Sequence, residues 1–289
     1  MKKVISILLA VVMIVSCMVA LTACGTDEGA AAGATGVKVI NIPLTDELYA
    51  FGVKKDDPDL LSKVNTFIGE VKSNGQLDAI LNNYFGDGKP QGVTSAVEDP
   101  AKDQLIVITN AEFAPFEYLE GETFYGVDME LAKLLADYLG KELVIKNVDF
   151  EVVCSQIDAG YGDIAMAGLT VNETRTEFVT FSESYYTACQ MVIVKNGDTT
   201  FDECKTAADV EAILAGFDDK TSIGVQNGTT AQYYVEGDAD WGFDGFAATC
   251  TGYTSGALAV QDMLNGNIDL VIIDEAPANS IVEAVNAVN

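Results

Sequence analysis

The sequence contains no histidine and few basic residues, with 16 Lys and Arg against 44 Asp and Glu. The absence of histidine removes His-based triads, the usual acid–base groups near neutral pH and the commonest zinc ligand. A formal charge of -28 disfavours nucleic acid and anionic lipid surfaces as partners. We therefore expect no metal, no cofactor and no nucleic acid. The length of 289 residues allows one large core or two lobes.

Cysteine is also scarce, at six residues, and no two cysteines have the CxxC spacing of a metal or redox motif. Beyond the first 24 residues the cysteines are Cys154, Cys189, Cys204 and Cys250, which allow three complete pairings. Export from the cell would permit disulfides, and free buried thiols fit the sequence equally well.

The N-terminus predicts export and lipid attachment. Lys2 and Lys3 precede an apolar run over residues 4–23, which is typical of a signal peptide. A transmembrane anchor is the alternative, because the run approaches the length needed to span a bilayer. The Leu-Thr-Ala-Cys sequence ending at Cys24 resembles a lipobox and favours a signal peptide over residues 1–23 with lipid on Cys24. Residues 24–36 are mostly small and predict a flexible tether.

The rest of the chain predicts an α/β protein. Asp57 and Pro58 predict the start of a helix that ends at Gly75, and a second helix is predicted to end at Gly86. Residues 89–103 are polar and without periodicity, as in a linker. Strand and helix patterns alternate after residue 104, which favours parallel sheets that bind ligands beyond the carboxyl ends of their strands.

The stretch from Asp163 to Arg175 carries the most readable chemistry. Residues 164–167 form an apolar run suited to a buried strand, and Gly168 lets the backbone leave it. Asn172 can cap the helical turn that contains Arg175. The Thr170 hydroxyl and the Arg175 guanidinium would then surround one point, where a carboxylate matches the planar donors of arginine. The alternative is an ordinary strand–turn–helix with a surface arginine.

Two further strand ends carry polar groups. Residues 224–230 run from a strand through a glycine turn to the start of a helix, without the lysine of a phosphate-binding loop, so a carboxylate suits this turn better than a phosphate. Asp274 ends an apolar strand and needs a partner or water, unless it caps the helix that follows. Asp128 is explained as a helix N-cap. Because Arg175 and Asp274 carry opposite charges on different halves of the chain, a zwitterion would bridge them.

With these motifs the chain resembles the amino-acid-binding proteins of ABC importers, family 3 of the bacterial extracellular solute-binding proteins. The resemblance implies an α/β, two-lobed, periplasmic-binding-protein-like type 2 fold that closes around its ligand. The positions that match ligand-binding residues of the family are Asn110, Phe113, Phe150, Ala167, Gly168, Thr170, Arg175, Gln226, Thr229, Thr230 and Asp274.

The resemblance also implies roles for these residues. Arg175, the two threonines Thr170 and Thr230, and the small residues beside them would hold an α-carboxylate, and Asp274 would take the α-ammonium. Phe113 and Phe150 would wall the ligand, although a core aromatic is the alternative for Phe113. Asn110, Ala167 and Gln226 would line the side-chain pocket. Because none of these carries a fixed charge, we expect an uncharged ligand side chain.

The function implied is a monomeric, non-enzymatic receptor on the outer face of the cytoplasmic membrane. It would bind a free L-amino acid and deliver it to an ABC permease. One alternative is an enzyme on the same scaffold, a dehydratase of the cyclohexadienyl type. Another is a ligand-sensing lipoprotein.

The order of the segments departs from the family and predicts a circular permutation. Family members usually finish with a strand, a hinge crossing, another strand and two helices, and here that part comes first. The expected segments are residues 37–45 as a strand of lobe 2, 46–88 and 104–188 as lobe 1, 89–103 as linker and 189–289 as lobe 2. A degenerate N-terminal fragment that folds apart is the alternative. If cysteines pair, we expect Cys204 with Cys250, because both fall in lobe 2.

Overall fold

Two five-stranded mixed sheets build the protein in a computed structural model that describes residues 36–288. The predicted signal peptide, the lipidation of Cys24 and all of the tether except residue 36 lie outside the described residues. The strands in chain order are β1 (Val37–Ile40), β2 (Glu47–Tyr49), β3 (Gly52–Lys54), β4 (Gln104–Thr109), β5 (Glu112–Phe113), β6 (Glu117–Glu120), β7 (Thr123–Tyr125), β8 (Glu142–Asn147), β9 (Ile164–Ala165), β10 (Val179–Phe181), β11 (Tyr186–Ala188), β12 (Gln190–Lys195), β13 (Ser222–Gln226), β14 (Thr249–Tyr253) and β15 (Leu270–Asp274).

Helices cover these sheets. They are α1 (Pro58–Ser73), α2 (Gln76–Phe85), α3 (Val127–Leu139), α4 (Val153–Asp158), α5 (Glu173–Thr176), α6 (Ala207–Leu214), α7 (Thr230–Glu236), α8 (Gly256–Asn265) and α9 (Glu275–Val288), with a 3₁₀ turn over Phe150–Val152. The predicted start of α1 is confirmed: Pro58 occupies the first turn and the Asp57 side chain accepts from the Leu60 N–H at 2.9 Å.

Each sheet belongs to one lobe. Lobe 1 has the strand order β10-β3-β9-β4-β8, and lobe 2 has the order β1-β12-β15-β13-β14. Strands β2 and β11 form a separate antiparallel pair between the lobes, with Glu47 opposite Ala188 and Tyr49 opposite Tyr186. Strands β5, β6 and β7 form an antiparallel meander. The chain thus crosses between the lobes beside the β2–β11 pair.

The segment before residue 87 contributes to both lobes. Strand β1 pairs antiparallel with β12, with Val37 opposite Lys195. Strand β3 pairs with β9 and β10 in the other sheet, and helices α1 and α2 lie against α3. Asn286 of α9 closes the end of β1: its Oδ1 accepts from the Val37 N–H at 3.0 Å, and its Nδ2 donates to the Val37 carbonyl at 2.8 Å.

Residues 48–54 divide between two strands, because Tyr49 ends β2 in the interlobe pair and Gly52 begins β3 in lobe 1. The linker over residues 89–103 is fixed along lobe 1, where Val93 exchanges backbone hydrogen bonds with Phe124 at 2.7 and 2.9 Å.

The four cysteines of the described chain are free thiols, so the expected Cys204–Cys250 disulfide is not present. Both residues are half-buried against the lobe 2 core that surrounds β12, β13 and α6. Cys154 and Cys189 are buried elsewhere. Within residues 36–288 no helix combines the length and the apolar character required to cross a bilayer.

Candidate functional site

The lobes meet at a buried interface, called the cleft below, that joins predicted residues from each of them. The Gln226 amide of lobe 2 donates to Asn110 Oδ1 of lobe 1 at 2.9 Å. The Thr230 and Thr170 hydroxyl oxygens are 3.3 Å apart across the same interface. All four side chains are buried. The lobes therefore meet at the residues that the sequence singled out.

Arg175 crosses from lobe 1 to lobe 2. Its guanidinium donates to the Thr170 carbonyl at 2.9 Å and to the Gly228 carbonyl of lobe 2 at 3.0 Å. Asn172 positions it, because the Asn172 side chain caps helix α5 as predicted. The side chain is only 8% exposed, which excludes the alternative of a surface arginine.

Two aromatic rings enclose that guanidinium. Its central carbon lies 5.2 Å from the ring centre of Phe150 and 5.1 Å from that of Trp241, within cation–π range. The resemblance implied that Phe150 walls the ligand, and in the structure its ring lies on the guanidinium of Arg175. Trp241 was not predicted from the sequence, where its only signal is that it is the single tryptophan of the chain.

The Gly168 turn is packed from two sides. Its φ of 54° is a left-handed conformation, and a Cβ there would lie 3.1 Å from Cε1 of the Phe113 ring. Its N–H donates to Asp128 Oδ2 at 2.9 Å. Phe113 itself is 5% exposed and belongs to the lobe 1 core. The neighbouring Ala167 is fully buried.

Asp128 is not the helix N-cap that the sequence predicted. Gly126 occupies the cap of α3, and Asp128 lies buried in the first turn. Its two oxygens accept from the Gly168 N–H and from the Tyr185 hydroxyl, at 2.9 and 2.5 Å. Burial raises the pKa of Asp128 to about 7, although these two hydrogen bonds oppose the rise.

Asp274 ends β15, and helix α9 begins one residue later, at Glu275. It is 4% exposed and accepts a hydrogen bond from the Tyr49 hydroxyl. Burial, and then the nearby charge of Glu47, raise the pKa of Asp274 to about 7, while hydrogen bonds from Tyr49 and Gln190 oppose the rise. Within the described chain this carboxyl has no cationic partner.

The glycine turn after β13 is satisfied internally. Thr229 precedes α7, and its hydroxyl donates to the Gln226 carbonyl at 2.7 Å. The Gly228 N–H, expected to face an anion, donates to the side chain of Gln232 at 2.7 Å. This turn therefore shapes the cleft and orients Gln226.

Glu47 is a buried residue of the cleft that the sequence analysis missed. Its Oε2 accepts from the hydroxyls of Thr170 and Thr230, at 2.6 and 2.8 Å. Its Oε1 accepts from the Thr45 hydroxyl at 2.6 Å and from the Gln190 amide at 2.9 Å. A signal existed, because Glu47 lies two residues before the aromatic Tyr49 and therefore on the same face of a strand.

Glu117 is the second buried carboxyl that was missed. It is fully buried, and neither of its oxygens has a hydrogen-bond partner in the described structure. Burial, and then the charges of Asp128 and Asp274, raise its pKa well above the usual range. The proximity to those two groups places Glu117 beside the cleft.

Two amide oxygens add to the unpaired acceptors. Asn110 donates to the Val148 carbonyl, so its oxygen faces the Gln226 amide nitrogen and leaves Gln226 Oε1 without a partner among the described residues. Gln190 likewise donates to Glu47 and leaves its own Oε1 unpaired there. The indole N–H of Trp241, beside Arg175, has no acceptor in the part of the chain that the structure describes. Within residues 36–288 no cluster of three or more Cys, Asp or Glu side chains could hold a metal ion.

Known proteins resemble the chain in sequence. It is 36% identical over 104 residues to the arginine-binding extracellular protein ArtP of Bacillus subtilis, covering 36% of this chain and 41% of that protein. It is 28% identical over 176 residues to an arginine-binding periplasmic protein of Mannheimia haemolytica, covering 60% and 64%. The chain thus spans less than two thirds of the length of these relatives. Other matching proteins bear enzyme names, among them membrane-bound lytic murein transglycosylase F.

Solved structures of amino-acid-binding proteins resemble the fold. A solved structure of an ancestral arginine-binding protein bound to glutamine aligns with a TM-score of 0.52 and 30% identity, over 63% of this chain and 74% of that one. The family model of bacterial extracellular solute-binding proteins, family 3, matches residues 105–271, more than half of the chain. The two-lobed periplasmic-binding-protein-like fold and these matches agree: the chain belongs to the bacterial extracellular solute-binding proteins, family 3.

Proposed function

We propose that the protein is a lipid-anchored receptor that binds a free L-amino acid between its lobes. It would deliver that ligand to an ABC permease at the outer face of the cytoplasmic membrane. The carrying observation is the buried pair of opposite charges in one interlobe cleft, Arg175 on lobe 1 and Asp274 on lobe 2. Each charge-assisted hydrogen bond contributes about 1.5–3 kcal/mol, so a few of them support micromolar binding. The lipobox-like sequence before Cys24 supports the anchor.

The buried contacts of the cleft favour a ligand side chain different from the one that the sequence suggested. Asn110, Ala167 and Gln226 favoured an uncharged side chain. Among the described residues, the Glu117 carboxyl beside the cleft and the Gln226 oxygen within it have no hydrogen-bond partner, and both can accept from a ligand donor. A guanidinium offers five N–H donors, and an ammonium offers three. We infer a ligand with a cationic side chain, which the names of the arginine-binding relatives also support.

Charge supports the same choice. The formal charge of -28 attracts cations and accelerates their encounter with the cleft. Because burial disfavours the ionised form of Glu117, a cationic side chain must offset the free energy of ionising it. An unpaired buried acceptor costs about 1–3 kcal/mol, and this cost ends when a ligand donor reaches it.

Calorimetry with the twenty L-amino acids tests both statements. We expect arginine or lysine to bind most tightly, and Arg175→Ala and Asp274→Asn each to lose most of the affinity with unchanged circular dichroism. An uncharged amino acid as the tightest ligand would contradict the proposed cationic side chain, but it would still agree with the proposed receptor function. No binding of any amino acid would contradict the receptor.

Glu117→Gln isolates the side-chain pocket. The neutral amide keeps the volume, so we expect the preference for arginine over glutamine to fall by about tenfold or more, because one charge-assisted contact is lost. Glu122→Gln is the matched control, since Glu122 is exposed between strands β6 and β7. Equal preference in all three proteins would contradict the role of Glu117.

An enzyme of the cyclohexadienyl dehydratase type is the second candidate. The carboxyls of Asp128 and Asp274, each with a pKa near 7, suit acid–base chemistry, and some matching proteins bear enzyme names. We rank it lower, because both Asp128 oxygens are already bonded to Gly168 and Tyr185. Turnover of ring-type hydroxy acids by the purified protein would reverse the order. A sensing lipoprotein would bind the same ligand and differ only in its partner.

A further inference from the structure

Glu47 contacts three parts of the molecule: the interlobe strand pair, lobe 1 and lobe 2. It begins β2 of the interlobe pair and is 5% exposed. Its carboxylate contacts Thr170 of lobe 1, and Thr230 and Gln190 of lobe 2. Every partner is a neutral donor, and none is a cation. Glu47 therefore neutralises no positive charge of the protein: it acts on the cleft through its negative charge, which raises the pKa of Asp274, and through the hydrogen bonds it accepts.

Those bonds fix the direction of the Thr170 and Thr230 hydroxyls. A hydroxyl has one hydrogen to donate, and an ionised carboxylate can only accept. The Thr170 hydroxyl is 2.6 Å from Glu47 Oε2, and the Thr230 hydroxyl is 2.8 Å from the same oxygen. The 3.3 Å contact between the two hydroxyls is longer, so Glu47 holds both hydrogens.

The other oxygen of Glu47 is held in the same way. The Gln190 backbone N–H donates to the Thr45 hydroxyl at 2.8 Å, which turns the hydrogen of that hydroxyl toward Glu47 Oε1 at 2.6 Å. The Gln190 side-chain amide supplies the second donor at 2.9 Å. Two donors on each oxygen hold the carboxylate in one orientation.

We propose that Glu47 is a positioning residue that turns the Thr170 and Thr230 hydroxyls into acceptors and so directs the α-ammonium of the ligand to this half of the cleft. The assignment rests on the proposed receptor function and sharpens it. The resemblance assigned both threonines to the α-carboxylate. With their hydrogens held by Glu47 they offer that group only lone pairs.

The surrounding groups agree with this polarity. Asp274 and the unpaired Oε1 of Gln190 are further acceptors, and both belong to residues that lie opposite each other on β12 and β15. The α-carboxylate is then left to the guanidinium of Arg175 and to backbone N–H groups. One half of the cleft accepts hydrogen bonds, and the other half donates them.

The experiment compares two ligands that differ only at the α position. Calorimetry on the whole protein uses L-arginine and its 2-hydroxy analogue, in which a hydroxyl replaces the ammonium. Wild type should prefer L-arginine, and Glu47→Gln should reduce that preference by about tenfold or more. The reason is that the new amide donates a hydrogen bond to a threonine oxygen, so that the threonine hydroxyl hydrogen is no longer held at position 47. Glu47→Asp remains a pure acceptor and should retain the preference even where affinity falls. Glu183→Gln, an exposed position, is the control.

Three outcomes would overturn the proposed positioning role of Glu47. A preference that survives in Glu47→Gln, or two affinities that fall in equal proportion, would overturn the positioning role, because a structural role weakens both ligands alike. A preference lost equally in Glu47→Asp would overturn it also, since the acceptor chemistry is then irrelevant. A wild-type protein that binds no amino acid would overturn the receptor function itself and the assignment with it.

Discussion

The Tyr49 hydroxyl donates a hydrogen bond to Oδ1 of Asp274, although the two residues are 225 positions apart. Tyr49 ends β2 of the interlobe pair, and Asp274 ends β15 of lobe 2. The tyrosine is fully buried, and its ring contacts Phe116 of lobe 1 edge-on, with centroids 5.1 Å apart. A single side chain thus joins the hinge, the lobe 1 core and the proposed ammonium site.

The first prediction concerns Tyr49→Phe. Loss of the hydroxyl removes a donor that stabilises ionised Asp274, so the pKa of Asp274 should rise above about 7. Affinity for the amino acid at pH 7 should fall by about tenfold, the effect of one hydrogen bond to a charged group. At pH 8.5 the deficit should shrink, because the carboxyl is then largely ionised in both proteins. Calorimetry at the two pH values measures this loss of affinity, and Tyr161→Phe, at an exposed tyrosine, is the control. A deficit independent of pH would contradict this account.

The second prediction is that unfolding free energy decreases as pH rises from about 4 to about 7. Asp128 and Asp274 have folded pKa values of about 7, and the unfolded values lie near 3.9. Because the folded state then holds more protons, stability is present below the unfolded pKa values and declines through this window. Each carboxyl contributes a slope of up to about 1.4 kcal/mol per pH unit.

Urea unfolding at pH 4.5, 5.5 and 6.5 tests that slope. The groups that face Asp274 are Glu47, Tyr49, Gln190, Glu117, Tyr186 and Cys189, and replacing Asp274 by Asn removes one titrating carboxyl from among them. Asp274→Asn should therefore flatten the dependence by about one proton. A stability that increases with pH over the same range would show that these carboxyls are already ionised in the folded protein.

The third prediction uses Trp241 as a reporter. It is the only tryptophan in the chain, its ring centre lies 5.1 Å from the guanidinium carbon of Arg175, and its ring stacks on Tyr233 at 4.9 Å. A ligand carboxylate on Arg175 should weaken the cation–π contact and change the tryptophan emission. Titration with L-arginine should give a saturable change that disappears in Arg175→Ala. Trp241→Phe retains an aromatic face and should bind within a few-fold of wild type.

Sequence patterns were sufficient for the parts of this protein that depend on local chemistry. The start of α1 follows from Asp57 and Pro58, and the cap of α5 follows from Asn172. Asp274 was found because a carboxylate stands out at the end of an apolar strand, and Arg175 because its planar donors in a capped helical turn match a carboxylate. Such signals lie within a few residues of one another.

The missed residues depend on contacts between distant segments. Glu47 becomes a site residue only because Thr170 and Thr230, 123 and 183 positions away, meet at its carboxylate. Its one local signal, a position two residues before Tyr49 on the same face of a strand, does not by itself separate it from the other acidic residues of a chain that has 44 of them. The N-cap role expected for Asp128 failed for the same reason: Tyr185, 57 positions later, bonds to it instead.

The last prediction concerns segment order, because we propose that the chain is a circular permutant of its family. Two observations support this. The family match covers residues 105–271, whereas β1 and β3, which lie before it, complete the sheets of lobe 2 and lobe 1. Asn286 of α9 bonds twice to Val37 of β1, so the two ends of the described chain are neighbours in space.

A rearranged protein tests the proposal. Its chain would begin at residue 102, run to residue 289, continue through a short glycine–serine linker into residue 37, and end at residue 88. Because the new connection joins segments already in contact, we expect native circular dichroism, cooperative unfolding and amino-acid affinity within about tenfold of wild type. The matched control opens the chain inside β12, at residue 192, where the break removes ladder bonds to β1 and β15, and it should not fold. A soluble protein of residues 102–289 alone that binds the amino acid with full affinity would contradict the proposal, because residues 37–88 would then be dispensable.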